Sequence, residues 1–502
     1  MKYISSEKRI FYLLLIFIFS RFFYYKFYNI EFDGWTIDVY WQFFPKNLLK
    51  EDLINSIIYN HYQPPFLNLI VGLIMKITDD YILPLNILYL IFGYFSFLLI
   101  YLICIKFKFS NNFSFLITIL LMIMPTTILY ENHLYKESLT FFFLIWLFYS
   151  SLKILENPKS LLNIVSLGLS LSLLCITRET FHIFWGYILI LLIQKKLIVS
   201  NKIILFTIFT LIVFPFYLKN LIIFDSFSIN SASTYEHLNQ KIDYIKEMEN
   251  PEKHKEIREF IIGDYENYKY LKKKASSIFN IQINSSAFFY KDLLNYDYKI
   301  DNKLLQTDTW YNEVWFEVNK YRKKDYFLIL KEYPSLLLLN YLNAATRHLF
   351  FSSDYFAFTK HNADKMRIVV KISDCIKLTP VCFYDYGFNW ENKISPGGDN
   401  YIGIDTGPMT YKEKIIYSFQ YTNFLLVFIY FYLLFYLIKN FFNLKRNSDE
   451  ENIIIFWIFS FVFIFLSLII FEDGEISRHR YPFDYLCFLI FLKNLKLKFF
   501  KR

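Results

Sequence analysis

Long, predominantly apolar runs are the feature that most restricts this chain. They fall at 9–28, 82–105, 113–130, 137–154, 161–177, 180–194, 202–222, 414–438, 452–471 and 481–497. Most are about 16 to 25 residues long, which is what a helix needs to cross about 30 Å of hydrocarbon. Inside a bilayer each backbone N–H and C=O must find its partner within the segment, so such runs close as helices. Hydrophobic residues make up 55% of the chain, and the 20% that are charged gather between the runs. A net charge of +9 would suggest nucleic acid for a soluble protein. Here Lys and Arg sit in short loops and near the C-terminal end, where they act as orientation signals, and no nucleic-acid partner is expected.

If the N-terminus is cytoplasmic, one orientation accounts for every basic cluster. Lys106 and Lys108, Lys153 and Lys159, Lys195 and Lys196, then Lys439, Lys445 and Arg446, and the tail KNLKLKFFKR all fall on the cytoplasmic side, with both termini there. This holds only if two apolar segments do not cross. Phe66 to Ile77 is too short and follows the Pro64-Pro65 break, so it is expected flat on the outer interface. Tyr326 to Phe351 carries Lys331, Glu332, Pro334, Asn340, Asn343, Arg347 and His348, and is expected as an amphipathic helix on the same surface. The first run lacks a small-residue cleavage site and reads as an uncleaved span, with Arg21 snorkelling to the interface.

The expected fold class is therefore an all-α polytopic membrane protein. It has about ten transmembrane helices, interfacial helices and an external insertion, in a bacterial inner membrane or an endoplasmic-reticulum-like one. Residues 1–222 form an N-terminal transmembrane module with a large first external loop (29–81), 223–413 an external and interfacial region, and 414–502 the C-terminal helices. Cys375 and Cys382 both lie in the outer stretch, where an oxidising compartment would let them pair. Asn284-Ser285-Ser286 is a glycosylation acceptor triplet if the host is eukaryotic.

With that topology, ionisable groups from distant parts of the chain share the outer face. The first loop supplies Asp33 and Asp38, then His61 and Gln63 before the double proline. A carboxylate at the water–membrane boundary can act as a base toward a hydroxyl or hold a divalent cation such as Mg2+ or Mn2+; the alternative is a pair of solvated loop acids. The second outer turn brings Glu131, His133, Lys136 and Glu137, the last of which would also serve as a helix-opening charge. Arg178, Glu179 and His182 sit in so tight a turn that they must lie close to hydrocarbon, unless Arg178 and Glu179 simply neutralise each other. Lys219 and Asn220 end one span, and Glu475, Arg478, His479 and Arg480 precede the last. Arginine suits bidentate contact with phosphate oxygens.

The acid-bearing first loop, HYQPPFLNLIVGLIMKI, the outer loop ending in Glu137, the TRET turn, LKNLIIFDSFS and RHRYPFDYL together resemble the polyprenyl-phosphate-sugar-dependent membrane glycosyltransferases of the GT-C superfamily. Protein O-mannosyltransferases and the aminoarabinose transferase of lipid A belong to that group. The resemblance covers the spans up to about Ser233 and again the last ones; residues 241–413 match nothing in the family pattern. It implies inverting transfer of a hexose or pentose from a polyprenyl-phosphate donor to a glycan, lipid or protein acceptor at the outer face. On this pattern Asp33 or Asp38 is the base and Glu137 the second acid. Arg178, Arg478, Arg480, His61 and Lys219 are candidates for the donor phosphate, and Gln63, Tyr40 and Glu179 for the acceptor or sugar. Relatives often carry Lys or His just before the double proline, where this chain has Gln63.

A transporter or flippase of a lipid-linked or anionic substrate would share the spans and the buried charges. Transporters tend to show repeated halves and Gly- or Pro-broken spans around a midplane site. This chain has only 12 Gly and no visible repeat, and its charges lie at one surface.

Overall fold

The computed structural model describes residues 6–39, 42–184, 198–230, 299–306, 311, 313, 331, 362–376, 378, 423–441, 448–471 and 476–499. Among them helices predominate and no strand forms; an isolated bridge joins Asp33 and His133. In order the helices are α1 (Ser6–Tyr28), α2 (Thr36–Val39), α3 (Lys46–Glu51), α4 (Leu53–Tyr59), α5 (Phe66–Ile77), α6 (Ile82–Lys106), α7 (Asn111–Met122), α8 (Pro125–Glu131), α9 (Lys136–Glu156) and α10 (Leu161–Thr177). A 3-10 turn, Glu179–Phe184, precedes α11 (Val199–Phe224), α12 (Asn362–Lys365), α13 (Arg367–Ile376), α14 (Phe424–Phe441), α15 (Asp449–Phe471) and α16 (Ile476–Phe499).

Six described helices are long and apolar enough to cross a membrane, or seven if α7 and α8 form one broken span. That makes the chain an α-helical multi-pass membrane protein, and several of the expected runs take a different form among the described residues. Run 113–130 is not one rod: it bends by 59° between α7 and α8. Pro125 opens α8 at its first position, where a missing N–H costs nothing, and holds Met124 extended. The carbonyls freed at the break find donors. Thr127 Oγ1 reaches Leu121 O at 3.0 Å, Arg21 Nη1 reaches Met122 O at 3.0 Å, and the Tyr24 hydroxyl reaches Ile123 O at 3.0 Å. Run 161–177 is a helix of 17 residues, about 26 Å at 1.5 Å per residue. Run 180–194 begins as the 3-10 turn, and 185–197 lie outside the described residues. Run 481–497 belongs to the longer α16, which carries Arg478, Arg480 and several lysines and does not count among the six.

α9 is the central helix: it packs against α6, α8, α10, α15 and α16. Its apolar window is 72% buried, against 22% for α1 and α11, whose exposed Phe, Leu and Ile are suited to lipid. α7 and α10 start at serine caps, Ser110 accepting from Phe113 N and Ser160 from Asn163 N. At one end of the bundle, contacts tie chain segments far apart in sequence: Arg9 to Asn112 (2.9 Å), Lys106 to Glu156 (2.6 Å), Asn201 to Pro158 O (2.9 Å), Lys493 to Glu450, and Lys496 to Lys108 O.

α5 follows the double proline as expected and is amphipathic, burying Leu67, Asn68, Val71, Gly72 and Met75. Gly72 is required there because a Cβ would stand 2.4 Å from Leu53 Cδ1 and 3.0 Å from Leu49 O.

Arg21 corrects another expectation. It does not snorkel to the interface but turns inward, its Nε 3.0 Å from Glu131 Oε2, with its guanidinium 3.9 Å above the Phe17 ring. The pair is nearly out of solvent. Gly93 makes room for it, since a Cβ there would fall 2.4 Å from Glu131 Oε1. An isolated arginine in hydrocarbon is costly, and an inward carboxylate removes most of that cost.

The helix expected at Tyr326–Phe351 lies outside the described residues apart from Lys331, and so does most of 241–325. Cys375 is disulfide-bonded, whereas Cys104, Cys175 and Cys487 are free and buried. Cys382, its expected partner, lies outside the described residues.

Candidate functional site

The end of the bundle opposite those ties carries the polar groups. The first loop is docked on the second through backbone. Asp33 N donates to Asn132 O (2.7 Å), Leu134 N donates to Asp33 O (2.9 Å), and Thr36 Oγ1 donates to Leu134 O (2.7 Å). Asp33 itself is half-buried, its Oδ1 accepting from Trp35 N at 3.2 Å. Glu31 is clasped from the start of α12, because Asn362 donates to Glu31 O (2.7 Å) and accepts from Glu31 N (3.3 Å). The two candidate bases therefore have different surroundings. Asp38 is exposed and paired with Lys46 at 2.5 Å, an arrangement worth little in water.

The segment Asn60–Gln63 is buried and held by two lysines from different helices. Lys219, near the end of α11, donates to Asn60 O and, at 2.7 Å, to Asn220 Oδ1. Both acceptors are neutral, and Lys219 forms no ion pair among the described residues. Lys136, at the start of α9, donates to Gln63 Oε1 at 3.1 Å. The segment closes on itself through Asn60 Nδ2 to Gln63 O at 2.6 Å. His61 Nε2 lies 2.9 Å from the Tyr311 carbonyl and must be the donor, because a carbonyl only accepts. Tyr311 comes from far along the chain, 250 residues after His61. Its hydroxyl donates to Gln42 O at 2.7 Å, its ring packs edge-on against Phe44 and Tyr62, and burial pushes its hydroxyl pKa well above the ordinary value.

Arg178 and Glu137 form a fully buried ion pair at 3.3 Å. Arg178 thus pairs across to α9 and not with its neighbour Glu179, which the sequence allowed. Removing one member of such a pair costs about 3–5 kcal/mol. Glu137 also stands in the first turn of α9, where the helix dipole favours an anion. Glu179 is left to the 3-10 turn. Its Oε2 and the Nε2 of His182 are buried with no hydrogen-bond partner among the described residues, and an unmet buried acceptor costs about 1–3 kcal/mol.

Arg480 is buried and pairs with Asp484 one turn along at 3.0 Å, and Asp484 also accepts from the Tyr430 hydroxyl at 3.1 Å. That clasp joins α16 to α14. Around it, Tyr481 stacks on Tyr130 with centroids 4.0 Å apart, and Phe483 stacks on Phe181 at 5.3 Å, so α16 packs against both α8 and the 3-10 turn. Tyr40 and the side chain of Arg478 lie outside the described residues.

The structure therefore brings Asp33, His61, Gln63, Glu137, Arg178, Glu179 and Lys219 to one end of the bundle, and adds Lys136, His182 and Tyr311. Lys136 and His182 were visible in the sequence as part of polar clusters but had no role there. Tyr311 gave no signal within its charged stretch. For a divalent cation, no group of three or more His, Cys, Asp or Glu side chains gathers among the described residues, and no step below is routed through one.

The fold and this polar end define a multi-pass helical membrane protein with a charged site at one end of its bundle. No protein-family model matches the chain, and no curated protein or solved structure matches it either.

Proposed function

We propose that the chain is an inverting glycosyltransferase that moves a sugar from a polyprenyl phosphate to an acceptor hydroxyl at the outer face of a cell membrane. The observation that carries this reading is that a half-buried acid, Asp33, is bridged to the second loop just before Lys136, while Lys136 and Lys219 hold the buried segment Asn60–Gln63 and the next residue, Glu137, holds Arg178. An acid beside fixed cations is what sugar transfer from a lipid phosphate requires. Asp33 takes the proton of the acceptor hydroxyl, and the oxygen attacks the anomeric carbon as the bond to the phosphate oxygen breaks. Polyprenyl phosphate leaves as an anion, and cations placed where that charge develops lower the barrier. Lys219 suits this role best, since among the described residues its hydrogen bonds go to two neutral oxygens, which a phosphate can replace. Arg178 is the second cation, its orientation set by Glu137. Asp38, exposed and paired with Lys46, is not assigned a part.

This reading takes the outer face to be the end bearing Asp33 and the cytoplasmic face to be the end tied together by Lys106, Lys493 and Lys496, which agrees with the positive-inside rule. It also retains about ten crossings, counting the bent α7–α8 pair, the short α10, the run through 185–194 and α16. The bent span is tolerated because side chains meet its freed carbonyls.

The test is transfer from radiolabelled polyprenyl-phosphate sugars by the purified full chain. Loss of the general base in Asp33→Asn is expected to lower kcat by about 10^2 to 10^4, with Asp38→Asn close to wild type and Lys219→Met raising KM for the donor. Wild-type turnover in Asp33→Asn would remove the proposed base.

A further inference from the structure

The 3-10 turn Glu179–Phe184 carries two buried acceptors that no described residue satisfies. In a 3-10 helix the side chains at i and i+3 eclipse, so Glu179 and His182 project from one face of the turn. His182 Nδ1 lies 2.6 Å from the Glu179 carbonyl; a carbonyl only accepts, so the ring proton sits on Nδ1 and the neutral imidazole presents Nε2 as a lone pair. The ring is held edge-on by Tyr217, with centroids 5.6 Å apart. Beside it, Glu179 Oε2 is a second lone-pair atom. Both are buried, and neither has a hydrogen-bond partner among the described residues.

We infer that Glu179 and His182 form the sugar-recognition pair of the proposed site, accepting hydrogen bonds from two neighbouring hydroxyls of the donor's sugar ring. The inference rests on the glycosyltransferase reading and deepens it. Two acceptors on one face of a turn call for two donors on one ligand, and neighbouring hydroxyls of a sugar ring supply them. A phosphate oxygen, which is itself an acceptor, does not fit here. The chain position also fits: Arg178, a proposed phosphate contact, immediately precedes Glu179, so the turn would carry phosphate and sugar contacts in the order in which the donor bears them. A site built to accept from hydroxyls rejects ligands that lack them, because its own groups are then left unmet.

The experiment measures binding to the purified full chain by microscale thermophoresis, with bare polyprenyl phosphate and with a panel of polyprenyl-phosphate hexoses and pentoses. The wild type is expected to bind at least one sugar-bearing lipid about tenfold or more tightly than the bare lipid. In Glu179→Leu and His182→Phe that ratio falls to about one while affinity for the bare lipid phosphate is kept. Glu179→Gln, which retains one carbonyl acceptor, keeps part of the ratio and serves if the apolar variants do not fold. A ratio unchanged in the variants overturns the pair and leaves the glycosyltransferase reading standing. Failure of the wild type to bind any polyprenyl phosphate overturns that reading itself, and the pair with it.

Discussion

The residue that most changes the sequence-based picture is Arg21. It faces inward from the first helix, and with Glu131, more than a hundred positions away, it makes a buried pair supported by Gly93 and capped by the Met122 carbonyl. Because the charges are out of water, removing one leaves the other uncompensated. Glu131→Gln or Arg21→Leu is expected to cost about 3–5 kcal/mol, read as a large drop in melting temperature in detergent. The double variant should recover part of that loss, and strictly additive losses would show that the two charges do not interact. None of this was legible in the sequence, where an arginine near the end of an apolar run has a simpler explanation in snorkelling. The Arg178–Glu137 pair was half legible. Both residues stood out as charges beside hydrocarbon, but periodicity and spacing do not say which helix supplies a partner.

Among the elements, the short helix α5 shows how the first loop is held. Its buried stripe sits on α3 and α4, with Gly72 against Leu53 and the Leu49 carbonyl. Gly72→Val would drive a side chain into backbone as well as into a leucine, and overpacking of this kind costs about 1–3 kcal/mol. Since α5 directly follows the Asn60–Gln63 segment, the expected result is a lower melting temperature together with faster proteolysis of residues 29–81. A loop as resistant as wild type would mean that this packing does not hold it. The existence of α5, its length and its start after Pro64-Pro65 were all legible, because proline and hydrophobic periodicity are local signals. The 59° break between α7 and α8 was not, because Pro125 lies in a run whose hydrophobicity alone is continuous. The carbonyls that tolerate the bend are met by α1 as well as by Thr127, and that is tertiary information.

At the scale of the whole molecule, direct contacts of Arg9, Lys106, Lys493 and Lys496 bring together the chain segments that carry four of the basic groups. Charge distribution is a global signal that survives uncertainty about any one span, so the contacts among these basic segments were legible where the break inside 113–130 was not. The topology predicts opposite sidedness for two exposed positions. With a membrane-impermeant maleimide applied to intact cells, Asp80→Cys should label and Lys159→Cys should label only after permeabilisation. Labelling of both from outside would refute the orientation. The clasp between Asn362 and Glu31 joins positions separated by most of the chain. During synthesis the loop bearing Asp33 leaves the ribosome early, but the residue that fastens its base does not exist until some 330 residues later. Maturation of the proposed site is therefore tied to the late arrival of the segment that carries Asn362, and the enzyme proposed here would become competent only near the end of its own biogenesis.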